Sequence, residues 1–147
     1  MPIKGLINQF QIGDPRDEFT KIFSLTAITN RNETDLFDDR LIGFGDSVAL
    51  ILDGDEFLRR VRKAFEARGL LCRHGLVEYI NKHTYTGETG PFRKYSDLEF
   101  QSECRIATQT NFPGPVSDLS IGSIRDISEL GESKTLRQRI RIQKQDD

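Results

Sequence analysis

Val48-Ala49-Leu50-Ile51-Leu52, followed by Asp53-Gly54-Asp55-Glu56-Phe57-Leu58-Arg59-Arg60-Val61-Arg62-Lys63-Ala64-Phe65-Glu66, is the stretch that decides the fold. The first five residues form a continuous apolar run bounded by Gly45-Asp46 and Asp53-Gly54. A strand of that kind is buried on both faces, which predicts a central position in a sheet. In the next segment Phe57, Leu58, Val61, Ala64 and Phe65 fall on one helical stripe, with Arg59, Arg60, Arg62, Lys63 and Glu66 opposite. Asp55 is the expected N-cap, Glu56 suits the positive helix start, and Gly69 suits the C′ position. This helix is expected to pack over the central strand.

Outward from this unit the patterns are mostly of period two. Leu6 to Ile12 reads as a strand closed by Gly13-Asp14-Pro15, and Lys21 to Ile28 as a second strand rich in strand formers. Residues 29–46 read as a long excursion with one helical turn around Thr34 to Arg40. Leu76 to Ile80 is an expected strand, and Thr84 to Pro91, with Gly87 and Gly90, an expected loop. Leu98 to Ala107 alternates cleanly, placing Glu99, Gln101, Glu103 and Arg105 on one face. After Asn111-Phe112-Pro113-Gly114-Pro115, strands are expected at Val116 to Ile121 and at Leu136 to Ile142. Strands on both sides of one good helix, with several hairpins, predict an α+β fold. The sheet is expected to be mixed and mostly antiparallel, in a single domain over 1–147, with 143–147 as a disordered end.

Composition narrows the function classes. The chain has 147 residues, enough for one domain with a true core, and ten phenylalanines to fill it. A formal charge of −2 argues against generic nucleic-acid binding, since a phosphate-neutralising surface leaves a basic excess. The start Met1-Pro2-Ile3-Lys4-Gly5 lacks the charged and apolar regions of a secretory signal, and the apolar run 48–52 is too short to cross a bilayer. Two cysteines, Cys72 and Cys104, outside any CxxC pair, fit a reduced cytoplasmic setting with both thiols packed as small apolar groups.

Conventional catalytic and metal signatures are missing: no P-loop, no HExxH, no GxSxG, and no metal-ligand spacing among two histidines and two cysteines. The acidic cluster Asp53-Gly54-Asp55-Glu56 is explained as a strand end and helix cap. The row Arg137, Arg139 and Arg141 fits either the solvated face of an edge strand or a surface that meets phosphate or an acidic protein partner. The face Glu99-Gln101-Glu103-Arg105 also has two readings. It can face solvent, with cross-strand ion pairs to Arg93 or Lys94. Alternatively it floors a cleft in which Glu103 is a positioned carboxylate and Gln101 its hydrogen-bonding neighbour, about 6.5–7 Å away along the strand.

Gln101-x-Glu103 after Phe100, with Ser24-Leu25-Thr26 on an earlier strand, resembles the glutamine-x-glutamate and serine-threonine-serine elements of ADP-ribosyltransferases. That resemblance implies NAD as the cofactor, Glu103 as the catalytic carboxylate that stabilises an oxocarbenium-like transition state, and Gln101 as the residue that orients the acceptor. Ser24, Thr26, Tyr85, Phe92 and Arg105 would then surround the ligand. A broader order, Phe23-Ser24-Leu25-Thr26, Phe44 to Leu50, Phe92-Arg93-Lys94 and Gln101-x-Glu103-x-Arg105, is similar to a family of uncharacterised bacterial proteins and implies a shared fold. Two functional expectations follow. The first is a non-catalytic protein-interaction domain of a bacterial or phage conflict system, with no cofactor. The second is a small NAD-using ADP-ribosyltransferase-like enzyme.

Overall fold

The computed structural model describes residues 5–9, 19–28, 38–110 and 119–138, the first of these segments by its backbone alone. Eight strands and one long helix alternate along it: β1 (Gly5–Gln9), β2 (Thr20–Ile28), β3 (Ser47–Ile51), α1 (Gly54–Ala67), β4 (Cys72–Leu76), β5 (Glu78–Ile80), β6 (Arg93–Tyr95), β7 (Glu103–Gln109) and β8 (Ser128–Glu132). Short 3-10 turns cover Asp39–Phe44, Ser96–Gln101 and Ser133–Thr135. Six strands form one antiparallel sheet in the order β4-β7-β2-β1-β3-β8, and β5 and β6 pair in parallel. This is the α+β architecture expected, a mostly antiparallel sheet with one main helix.

The deciding stretch behaves as its pattern demands. Val48 and Leu50 are buried on one face of the sheet and Ile51 on the other. The strand is interior but off-centre, between β1 and β8, because three strands (β2, β7 and β4) lie beyond β1 on the far side. The helix is capped by Asp53 rather than Asp55. Asp53 keeps the extended backbone that an N-cap requires (φ −116°, ψ 91°), and its carboxylate accepts the Glu56 N–H at 3.0 Å. At the other end Gly69 takes φ 70°, and the Gly69 and Leu70 N–H groups close onto the Glu66 and Phe65 carbonyls at 2.9 and 3.0 Å.

The two sheet faces differ in chemistry. On one, Phe57, Leu58 and Val61 of α1 pack onto Leu25, Ala27, Ile51, Cys104 and Ile106. Each of those helix side chains contributes about 2 kcal/mol by leaving water. On the other, Ile28, Val48 and Leu50 meet Leu41 and Leu136. Further along that second face, on β2 and β7, four buried side chains are polar, Ser24, Thr26, Glu103 and Arg105, with Ala107 beyond them. The β5–β6 pair and the Ser96–Gln101 turn lie over them.

Several expected strands are corrected. Leu98–Ala107 is not one strand, because its first half coils as the 3-10 turn and Ser102 adopts a left-handed backbone (φ 44°, ψ 52°) before β7 begins. Leu76–Ile80 is divided between β4 and β5. Leu119 to Ile124 has no regular structure, so the described part of the strand expected at Val116 to Ile121 does not form, and Ser128–Glu132 is a strand that the pattern did not show. Leu136 to Gln138 continue helically from the Ser133–Thr135 turn rather than as a strand, so Leu136 turns inward against β3. The turn expected at Thr34 to Arg40 is a 3-10 turn that starts at Asp39, with residues 34–37 outside the described segments. Residues 10–12 and 116–118, Arg139, Arg141 and 143–147 also lie outside them. Among the described residues no helix is long and apolar enough to cross a membrane.

Candidate functional site

The polar face is assembled by Ser102. Its left-handed conformation ends the turn with its own N–H on the Glu99 carbonyl (3.1 Å), while its carbonyl accepts the Ala27 N–H (2.7 Å). The chain therefore enters β7 already paired with β2. In that register Glu103 lies opposite Thr26 and Arg105 opposite Ser24, which puts the four side chains on one face. Gln101 reaches the same place from the turn, and Glu99 points to solvent. The expected four-residue face thus loses Glu99, because a 3-10 turn repeats every three residues and not every two.

The centre of the group is the Glu103 carboxylate, whose side chain is 0% exposed. Oε1 accepts from Lys94 Nζ at 2.7 Å and Oε2 from Arg105 Nε at 2.7 Å. Lys94 Nζ also donates to Gln101 Oε1 at 2.5 Å, and Arg105 Nη1 to the Pro91 carbonyl at 3.0 Å. The Glu103 N–H donates to the Tyr79 hydroxyl at 2.9 Å, and its carbonyl accepts the Val77 N–H. Burial raises the Tyr79 phenol to about 12, a shift that the Glu103 N–H partly opposes. A carboxylate taken out of water needs opposite charge and hydrogen bonds on both oxygens, and here it has them. The solvent-facing alternative is overturned: the ion pair with Lys94 forms, but inside the protein. Ser24 Oγ is buried with no hydrogen-bond partner among the described residues.

The remaining candidates are spread out. Phe92 is in contact range of Gly75, which pairs with Arg105, and Arg73 lies 5.5 Å above its ring. Tyr85 bonds the Glu88 carbonyl (3.1 Å) and carries Arg93 5.6 Å from its ring centre, so it belongs to the outer loop. Arg137 pairs with Asp39 at 2.7 Å. Cys104 is fully buried, which pushes its thiol up to about 11, whereas Cys72 is half-buried and shifted upward by the same cause. Among the described residues no cluster of three or more His, Cys, Asp or Glu could hold a metal.

Two contributors carried no site signal in the sequence. Tyr79 sits in a short apolar strand and looks like core. Lys94 was legible only as an ion-pair partner and as part of Phe92-Arg93-Lys94. Two open grooves of about 430 and 460 Å³ flank β4, lined by Arg62, His74 and Phe92 in one and by Leu70, Leu71 and Thr108 in the other. Neither is lined by Glu103. The chain matches no family model, no curated protein and no solved structure.

Proposed function

We propose that this domain is a non-catalytic protein-binding module in which the Glu103 cluster holds the fold together. One observation carries this reading. Both oxygens of Glu103 are engaged at 2.7 Å by Lys94 and Arg105, with the carboxylate closed off from solvent. A catalytic carboxylate has to reach substrate, and here two ion pairs would have to break first. A buried carboxylate paired in this way is costly to the fold when either partner is taken from it.

A second reading, transfer of ADP-ribose from NAD with Glu103 as the carboxylate, has its own observation. Ser24, Thr26, Gln101, Glu103 and Arg105 converge on one sheet face, and Ser24 Oγ has no partner among the described residues. It requires β6 and Lys94 to move away and admit a ligand. Incubation with NAD separates the two. Nicotinamide release at buffer background for both the wild type and Glu103→Gln supports the binding module. Release by the wild type that Glu103→Gln abolishes overturns it in favour of the enzyme.

A further inference from the structure

We propose that the outer edge of β4 captures an acidic, extended segment of a partner protein as a seventh strand of the sheet. This rests on reading the domain as a binding module.

The hydrogen-bond phase of the ladder places the free groups. Val77 donates its N–H to the Glu103 carbonyl at 2.9 Å, and β4 continues from there opposite β7, Gly75 facing Arg105 and Arg73 facing Ala107. Antiparallel pairs alternate between bonded and non-bonded, so Arg73 and Gly75 bond inward to β7. Cys72, His74 and Leu76 then turn their N–H and C=O groups away from the sheet. The other side of β7 has the complementary phase, with the Ala27 N–H on the Ser102 carbonyl, as alternation requires. Among the described residues nothing pairs with the outward row of β4, the terminal strand in the sheet order. At the opposite edge Glu129 and Leu130 of β8 already make further interactions.

The outward row borders the open groove of about 430 Å³, which has Arg62 of α1 on one side and Phe92 on the other. Its two cations are held in no ion pair among the described residues, with Glu66 of α1 within electrostatic range of Cys72 on the same edge. Arg59 and Arg60, on the same helix, are paired with Glu56 and Asp126. Arg62 instead lies 2.9 Å from His74 Nε2, and Arg73 lies over the Phe92 ring. A guanidinium has no acceptor, so the imidazole nitrogen facing it is the acceptor and brings no negative charge. Neither arginine has a carboxylate partner among the described residues. Bare backbone groups give affinity to any extended strand, and the two cations select one with acidic side chains. They also disfavour a second copy of this chain, since edge-to-edge pairing of two β4 strands brings four arginines together.

The test uses the full chain and two fluorescent octapeptides, one alternating Glu and Val and the other alternating Lys and Val, followed by anisotropy. The expected result is saturable binding of the glutamate peptide with the lysine peptide at background. Arg62→Gln/Arg73→Gln should weaken it about tenfold, the loss of two exposed ion pairs. His74→Pro, which removes an outward N–H and leaves both arginines in place, should weaken it at least as much, with circular dichroism showing each variant folded. No saturable binding, equal binding of both peptides, or indifference to the arginine changes overturns the proposal. So does a wild-type dimer in solution that either variant dissolves, which would make the occupant a second copy. Each of these failures leaves nicotinamide release at background, whereas failure of the binding-module reading appears as Glu103-dependent release.

Discussion

Lys94→Met probes the buried cluster most directly. The change keeps the length of the side chain and removes the charge from Oε1 of Glu103 and from Gln101, the two acceptors that Lys94 holds. Removing one partner of a buried ion pair typically costs about 3–5 kcal/mol, because the other charge is left desolvated. Arg105 still binds Oε2, and the Lys94 side chain is 12% exposed, so the lower end, about 3 kcal/mol, is expected. The control is Arg93→Met on the same strand, whose pair with Glu78 spans 3.4 Å with side chains 42% and 66% exposed. Such a pair is worth at most about 1 kcal/mol. In urea unfolding, with a slope of about 2 kcal/mol per molar, Lys94→Met lowers the midpoint by about 1.5 M and Arg93→Met by less than about 0.5 M. Glu103→Gln leaves two donors facing a single amide oxygen and costs a similar amount. The double variant then loses much less than the sum, because both changes disable the same pair. A midpoint for Lys94→Met no lower than that of the Arg93 control, or additive losses in the double variant, refutes a structural role for the cluster.

Four further outcomes are expected. Ser24→Ala removes a buried hydroxyl that has no partner among the described residues and should stabilise the protein by about 1 kcal/mol, seen as a higher melting temperature; a lower one contradicts the geometry. Asp53→Ala should cost about 1 kcal/mol and Asp55→Ala clearly less in the same assay, and the reverse order would identify Asp55 as the cap. Arg59 and Arg60 hold the Glu56 carboxyl down at about 2 against an ordinary 4.5. A depressed carboxylate stabilises above its unfolded value and loses that contribution as pH falls. Melting temperature should therefore decline from about pH 4.5 towards 2, and less steeply in Glu56→Gln. Finally, the Cys104 thiol, raised to about 11 by burial, should stay inert to a disulfide reagent at pH 8 until the protein unfolds, while Cys72 reacts in the native state.

Much of the architecture was legible because its determinants are local. The stripe Phe57-Leu58-Val61 and the apolar run at Val48 to Leu52 each specify burial through their own period. The α+β class followed from them. The cap was misplaced by two residues, since Asp53 and Asp55 both have cap chemistry and only the backbone angle at Asp53 distinguishes them. The strand expected to begin at Leu136 did not form for a related reason, and Arg139 and Arg141 lie outside the described residues. Leu136-Arg137-Gln138 alternates as a strand would, but it follows a helical turn whose Leu136 finds a hydrophobic partner against β3.

The candidate site divides along the same line. Alternation alone placed Glu103 and Arg105 on one side of a strand, and the triplet at Ser24 to Thr26 on a strand of its own. Polarity could not reveal the left-handed Ser102 that turns Glu99 out and Gln101 in, because one residue's backbone angle leaves no mark on the hydrophobic pattern. Nor could it tell whether the face meets water. That was decided by Lys94 and Tyr79, which come 9 and 24 residues earlier in the chain and are brought over β7 by the β5–β6 pair. Which side chains share a face is a property of the strand itself, set by its period of two. Whether that face is surface or interior depends on the segments that fold across it, and only the tertiary structure made Glu103 a buried acid between two cations.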